Sequence, residues 1–203
     1  MTVVLRSSPP SPFGRKVKIA AAVLGLTDRL QVVMADTNDP SDSLRSQNPL
    51  GKIPVLVMDD GSVLYDSRVI LEWLDWEAGG GRILPAEHDA RFAALRLQAL
   101  ADGLMDAAIL AVYEKRFRAE GERSAAWVAH QTGKIERALA HLEATAPALD
   151  APLTVGPIAL ACALGYLDLR FEGRWRAAHP RLVAFLDAFA ARVPAFAATQ
   201  IAP

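Results

Sequence analysis

The chain has 203 residues, enough for one large domain or two small ones, and 52% of them are hydrophobic, ample for a buried core. A formal net charge of −1 leaves no long-range field to draw nucleic acid or an acidic membrane, so small molecules are the favoured partners. The single cysteine, Cys162, excludes an internal disulfide and no apolar run reaches the ~18 residues of a membrane span, so the cytoplasm is the expected compartment.

Thr2-Val3-Val4-Leu5 predicts a short strand, ended by Arg6-Ser7-Ser8-Pro9-Pro10-Ser11-Pro12, a run too rich in serine and proline to continue it. From Phe13 the apolar spacing of Val17, Ile19, Ala20, Val23 and Leu24 is helical. Ser11 is its natural N-cap, Pro12 takes the favoured first position, and Gly25 is the stop. Arg15, Lys16 and Lys18 read as a solvated basic face of this helix. Residues 30–34 predict a second strand, and residues 36–47 a polar loop with a helical turn.

Asn48-Pro49-Leu50-Gly51-Lys52-Ile53-Pro54 follows, with the apolar run Val55-Leu56-Val57-Met58 directly behind it. Pro54 belongs at the leading edge of that strand, where a missing N–H is tolerated, and it pushes Ile53 towards extended geometry. The Ile53 backbone N–H and C=O then stand free of the ladder and open to another extended chain, such as a peptide ligand. Asp59-Asp60-Gly61-Ser62 predicts a tight turn and Val63-Leu64-Tyr65 the return strand. Asp66-Ser67 then opens a helix carrying Val69, Ile70, Leu71, Trp73 and Leu74. Strand, helix, strand, irregular segment, strand, strand and helix together make a four-stranded α/β unit.

Glu77-Ala78-Gly79-Gly80-Gly81-Arg82-Ile83-Leu84-Pro85 has the composition of a linker, and nothing after it alternates like a strand. Residues 91–118 predict a long helix through Phe92, Leu95, Leu97, Leu100, Leu104, Ile109 and Val112, with Gly103 as a candidate kink. Ser124 caps a second helix with Trp127, Ile135, Leu139 and Leu142 on its inner face. Thr154 opens a third, apolar enough to be central in a bundle, with Pro157 standing where an acidic residue would complete a capping box. Pro180 starts a fourth. The expected organisation is residues 1–78, a linker at 79–88, and an all-helical 89–203. The four histidines show no metal-ligand spacing, and no metal is expected.

Ser11-Pro12-Phe13, the run from Asn48 to Val57, Asp66-Ser67 before a helix, Leu100-Ala101-Asp102-Gly103-Leu104 and Leu160-Ala161-Cys162-Ala163-Leu164-Gly165 resemble, in this order, the cytosolic glutathione S-transferase family. The resemblance covers nearly the whole chain. It implies a thioredoxin-like glutathione-binding domain, an all-helical second domain, a homodimer, and a cis bond before Pro54. It further implies that Ser11, placed directly before Pro-Phe, activates the thiol of glutathione for conjugation to a small electrophile. Phe13, Lys52, Ile53, Pro54, Asp66 and Ser67 would hold the tripeptide, with Lys52 facing its glycyl carboxylate and Asp66-Ser67 its γ-glutamyl group. Asp106 and Tyr113, with Asp102 beside them, would line the acceptor pocket.

The residues alone leave alternatives open. Ser11, like Asp66-Ser67, also has the chemistry of a plain helix cap, and Lys52 that of a solvated loop lysine. With no tyrosine in the N-terminal segment and no cysteine at position 11, tyrosine-type transfer and thiol reduction are disfavoured. A non-catalytic glutathione-binding or protein-interaction module, or a glutathione-dependent isomerase, remain as alternatives.

Overall fold

The structure, a computed structural model, describes residues 2–201. It begins with β1 (Val3–Ser7), α1 (Pro12–Leu24), β2 (Leu30–Met34), the short α2 (Leu44–Gln47), β3 (Val55–Val57), β4 (Val63–Leu64) and α3 (Ser67–Glu77). The strands form one sheet in the order β2-β1-β3-β4, with β1 parallel to β2 and antiparallel to β3, and β3 antiparallel to β4. Register follows the apolar pattern: Leu5 lies opposite Leu56 and Leu56 opposite Leu64, so the larger apolar side chains share the face covered by α1 and α3. The opposite face is closed by a smaller cluster of Ala35, Leu44 and Val55. Arg6, buried in β1, fixes the irregular segment beyond β2: its guanidinium donates to Ser43 Oγ at 2.8 Å, Asp42 Oδ1 at 2.7 Å and the Met34 carbonyl at 3.2 Å.

The second half holds α4 (His88–Phe117), α5 (Ala125–Ala144), α6 (Val155–Phe171), α7 (Pro180–Arg192) and α8 (Pro194–Ala198). Ser124 caps α5 as expected, its hydroxyl accepting from Trp127 N at 3.1 Å. Thr154 precedes α6 without a side-chain cap bond, in keeping with Pro157 in the first turn. Gly103 lies inside one continuous helix. Trp127, expected on the inner face of α5, is instead exposed at 42%, and Phe92 at the start of α4 is exposed at 57%. What faces the core from α4 is small: Ala94, Ala101, Ala107, Ala108 and Ala111, with Leu104 and Met105. Small residues let α6 approach closely, and Gly156 is part of that seam, since a Cβ there would lie 2.9 Å from the Ala94 carbonyl oxygen and 2.9 Å from Leu97 Cβ. The large apolar residues that carry the periodicity of α4, Leu95, Leu97, Leu100, Leu104 and Ile109, pack on or against the same core.

One continuous core runs from Val3 and Leu5 through α1 and α3 into α4–α7, so the two halves share their interior. Asp75 at the end of α3 ties down the segment between them. Its carboxylate accepts from the backbone N–H of Gly81, Arg82 and Ile83 at 2.8, 2.9 and 2.7 Å. Val155 N then donates to the Ile83 carbonyl at 2.9 Å, joining that segment to the first turn of α6. Among the described residues no helix is long and apolar enough to cross a membrane.

Candidate functional site

Three chain segments converge beside the sheet. The first is the N-terminus of α1. Ser11 is its N-cap, with its hydroxyl accepting from Gly14 N at 3.1 Å. That bond uses a lone pair and leaves the hydroxyl hydrogen available to donate elsewhere. The helix dipole adds a favourable field for negative charge at the same place. Phe13, half-buried in the first turn, packs with its ring centroid 5.6 Å from Lys16 Nζ.

The second segment is the loop before β3. Asn48, buried at 2%, holds it from beneath: Nδ2 donates to the Lys52 carbonyl at 2.9 Å and Oδ1 accepts from Leu50 N at 3.0 Å. No local pattern marks this role, since an asparagine before a proline reads as an ordinary turn residue. The Ile53–Pro54 bond is cis, as expected. Among the described residues the backbone N–H and C=O of Ile53 have no hydrogen-bond partner. Lys52 is exposed and makes no ion pair among the described residues.

The third segment is the start of α3. Asp66 is the N-cap, its Oδ1 accepting from Arg68 N at 2.9 Å, and the Tyr65–Asp66 peptide is also cis. Ser67 is buried at 2%, yet its hydroxyl has no partner among the described residues. A hydroxyl without a protein partner at this place is free to bond a ligand. Together with the free N–H groups of the α3 N-terminus it makes a receptor for a carboxylate.

Behind the convergence lies a buried ion cluster. Lys16, fully buried, donates to both carboxylate oxygens of Asp102 at 2.7 and 3.0 Å, and Arg68 Nε donates to Asp102 Oδ2 at 3.0 Å. Two sequence expectations fall here. The basic face of α1 is not solvated: Arg15 and Lys16 are both buried, because α1 is packed against α3, α6 and α8. Asp102 is 0% exposed and saturated by two cations, so it lines no acceptor pocket but pins α4 to α1 and α3. Burial alone pulls the Arg68 guanidinium down, but the hydrogen bond and charge of Asp102 outweigh it and raise it.

Asp106, one turn along α4, is electrostatically coupled to Lys52, Asp66, Arg68 and Asp102. Partial desolvation, then the Asp102 charge, raise its carboxyl, while Arg68 and Lys52 pull it back. Further along the same face Tyr113 is 38% exposed and meets Phe117 edge-on at 5.0 Å. Asp106 therefore borders the convergence, and Tyr113 stands farther out beside Tyr166. Among the described residues no group of three metal-ligating side chains is found.

Comparison with known proteins accords with this geometry. Residues 10–76 match the pattern of the glutathione S-transferase N-terminal domain, and residues 125–188 that of the glutathione S-transferase C-terminal domain. The uncharacterized GST-like protein YibF of Escherichia coli strain K12 is 32% identical over 97% of both chains. A glutathione transferase family member from Pseudomonas fluorescens Pf-5, crystallised with bound glutathione, is 41% identical over the whole of both chains with a TM-score of 0.93. A second crystal structure of that protein, with bound S-(propanoic acid)-glutathione, covers 99% of this chain and all of that one with a TM-score of 0.88. With a thioredoxin-like first half, an all-helical second half and relatives of this closeness along its full length, the chain belongs to the glutathione S-transferase family.

Proposed function

We propose that this protein is a glutathione transferase that binds glutathione in the convergence described above and activates its thiol for conjugation to a small electrophile. The observation that carries the proposal is the set of hydrogen-bonding groups without a protein partner on three separate segments: the Ser11 hydroxyl hydrogen, the Ile53 backbone and the Ser67 hydroxyl. An extended tripeptide with a carboxylate at each end and a thiol between answers all three. The γ-glutamyl end would meet Asp66 and Ser67 at the α3 N-terminus, the cysteinyl backbone would pair with Ile53 beside Pro54, and the glycyl carboxylate would face Lys52. Phe13 would close the site beside the sulfur. The Pseudomonas relative holds both glutathione and an S-substituted glutathione, which supports the ligand and room for an acceptor beside the sulfur.

Chemically, the glutathione thiol loses its proton to solvent, and the thiolate left behind accepts the Ser11 O–H. The thiolate then forms a C–S bond to the electrophilic carbon of the acceptor while a leaving group departs with the bonding electron pair. Asp106 and Tyr113 border the side from which that acceptor would enter.

Affinity tests the ligand assignment. Ser67→Ala and Lys52→Ala are each expected to weaken glutathione binding by roughly tenfold, the equivalent of one hydrogen bond to a charged group. Titration calorimetry reads this directly, and unchanged affinity in both variants would remove the proposed orientation. The chain is further proposed to be a homodimer. Val69, exposed at 45%, lines a cavity between α3 and α4 in which the buried Gln98 Nε2 has no partner among the described residues. Sedimentation velocity at micromolar concentration is expected to give about 44 kDa, twice the 21.9 kDa of one chain. A single species at the mass of one chain would refute the dimer.

A further inference from the structure

A cavity opens at the α1 N-terminus between Pro9, Pro10 and Ser11, the α6 residues Cys162, Gly165 and Tyr166, and the last described residues from Thr199 to Ile201. Its charged lining comes from Arg15 and Asp168. The two are not equivalent. Asp168 is saturated: Oδ1 accepts from Trp175 Nε1 and Arg176 Nε, both at 2.9 Å, and Oδ2 accepts from Arg176 Nη2 at 2.7 Å. Arg15 has only neutral partners, Nε donating to Thr199 Oγ1 at 3.1 Å and Nη2 to the Phe196 carbonyl at 2.6 Å. Among the described residues its Nη1 has no hydrogen-bond partner and no carboxylate lies in ion-pair contact with it. The residue is nevertheless only 8% exposed, and the guanidinium rests on the Phe196 ring with its centre 4.1 Å from the centroid.

Burial pulls the Arg15 guanidinium down, and the charge of Asp168, itself committed to Trp175 and Arg176, offsets this only in part, so an anion in the cavity would complete the arrangement. The surroundings favour an anion too. Lys18 is a second cation close enough to Arg15 for their charges to act on each other, and it too has no carboxylate in ion-pair contact among the described residues. The α6 surface under the guanidinium is kept bare by Gly165, where a Cβ would lie 2.5 Å from Arg15 Nη1. Arg15 is one helical turn beyond Ser11, about 6 Å along the axis, and helix side chains lean back towards the N-terminus, which brings the guanidinium into the cavity that Ser11 also lines.

We propose that this cavity is an anion subsite of the acceptor, in which Arg15 takes a carboxylate borne by the electrophile a few bonds from its reacting carbon. The inference rests on the glutathione assignment, since the electrophile is placed by the sulfur that Ser11 faces. It names the acceptor class as small electrophiles carrying a carboxylate, and it gives Arg15 a specificity role separate from thiol activation. A planar guanidinium suits this task because it meets both carboxylate oxygens at once.

Two ligands that differ only at the far end of the sulfur substituent isolate the effect: S-(2-carboxyethyl)glutathione, which ends in a carboxylate, and S-propylglutathione, which ends in a methyl group. Titration calorimetry on the intact chain is expected to show the carboxylate ligand binding about tenfold more tightly, with the preference shrinking as sodium chloride is raised. Arg15→Gln, which keeps donors for Thr199 and the Phe196 carbonyl, is expected to bring the affinity ratio close to one. Because the ratio is taken within each variant, a general loss of binding or stability cancels. Equal affinities in the unaltered protein, or a preference that survives Arg15→Gln, would overturn the subsite, and the first of these needs no variant that folds. Failure of glutathione itself to bind would overturn the glutathione assignment and the subsite with it, and is read separately in the same instrument.

Discussion

Asp102→Ala is expected to lower the free energy of unfolding by about 3–5 kcal/mol, because it strands a fully buried lysine without its anion. Lys16 Nζ has no route to water: the side chain is 0% exposed, and its hydrogen bonds to Asp102 are its only ones among the described residues. Arg68 suffers less, since 55% of its side chain is exposed and can turn to solvent. In a urea titration the midpoint should fall by roughly 2 M while the transition stays single, as one core runs through both halves. Replacing both members, Lys16→Met with Asp102→Leu, should recover most of the loss, because a buried pair exchanged for apolar side chains of similar volume is often neutral. A single variant within about 1 kcal/mol of the original protein would show that water reaches Lys16 after all.

Ser11→Ala is the test of chemistry rather than of stability. Losing one hydrogen bond to the bound thiolate should raise its pKa by roughly one to two units and lower kcat/KM near neutral pH by on the order of 10–100-fold. The sign follows from the proton count: with a higher thiol pKa less thiolate is present at neutrality, so activity returns as pH rises through the new pKa. Loss of the helix cap, by contrast, costs about 1 kcal/mol of stability and leaves the pH–rate profile where it was. The two roles therefore separate in one series of assays with a generic aromatic halide. A profile that does not move would confine Ser11 to capping and transfer thiolate stabilisation to the backbone N–H groups at the start of α1.

How much of this was legible in the sequence depends on whether the signal was local. Ser11, Asp66 and Ser124 mark helix starts through bonds to neighbours two or three residues away, and Pro180 through its fixed φ, and the structure has each start where the pattern put it. Pro54 and the apolar run behind it likewise announced a strand with a free backbone before it. What stayed hidden was decided by distant partners. Lys16 and Asp102 are 86 positions apart, and each alone looks like a solvated charge on an amphipathic helix. Asp75 and Asn48 hold loops that only tertiary contact turns into fixed structure. The alanines on the inner face of α4 carry little weight in any apolar periodicity, and the short α8 had no capping signal beyond Pro194. The site shows the same division: its helix caps were readable, whereas the ion cluster behind them and the cavity lined by Arg15 and Asp168 were not.

Cys162 sits at the heart of α6, 0% exposed, and burial pushes its thiol up to about 12 even with Arg15 and Lys16 nearby. At neutral pH only about one molecule in 10^5 would carry it as thiolate. For the proposed transferase self-alkylation is the standing hazard, and the single thiol of the chain lies on the wall of the cavity proposed for the acceptor. Its protection is thus a matter of protonation set by helix packing and not of distance: an opening of the bundle that let water reach α6 would bring the thiol back towards its ordinary range and turn a spectator into a competitor for the electrophile.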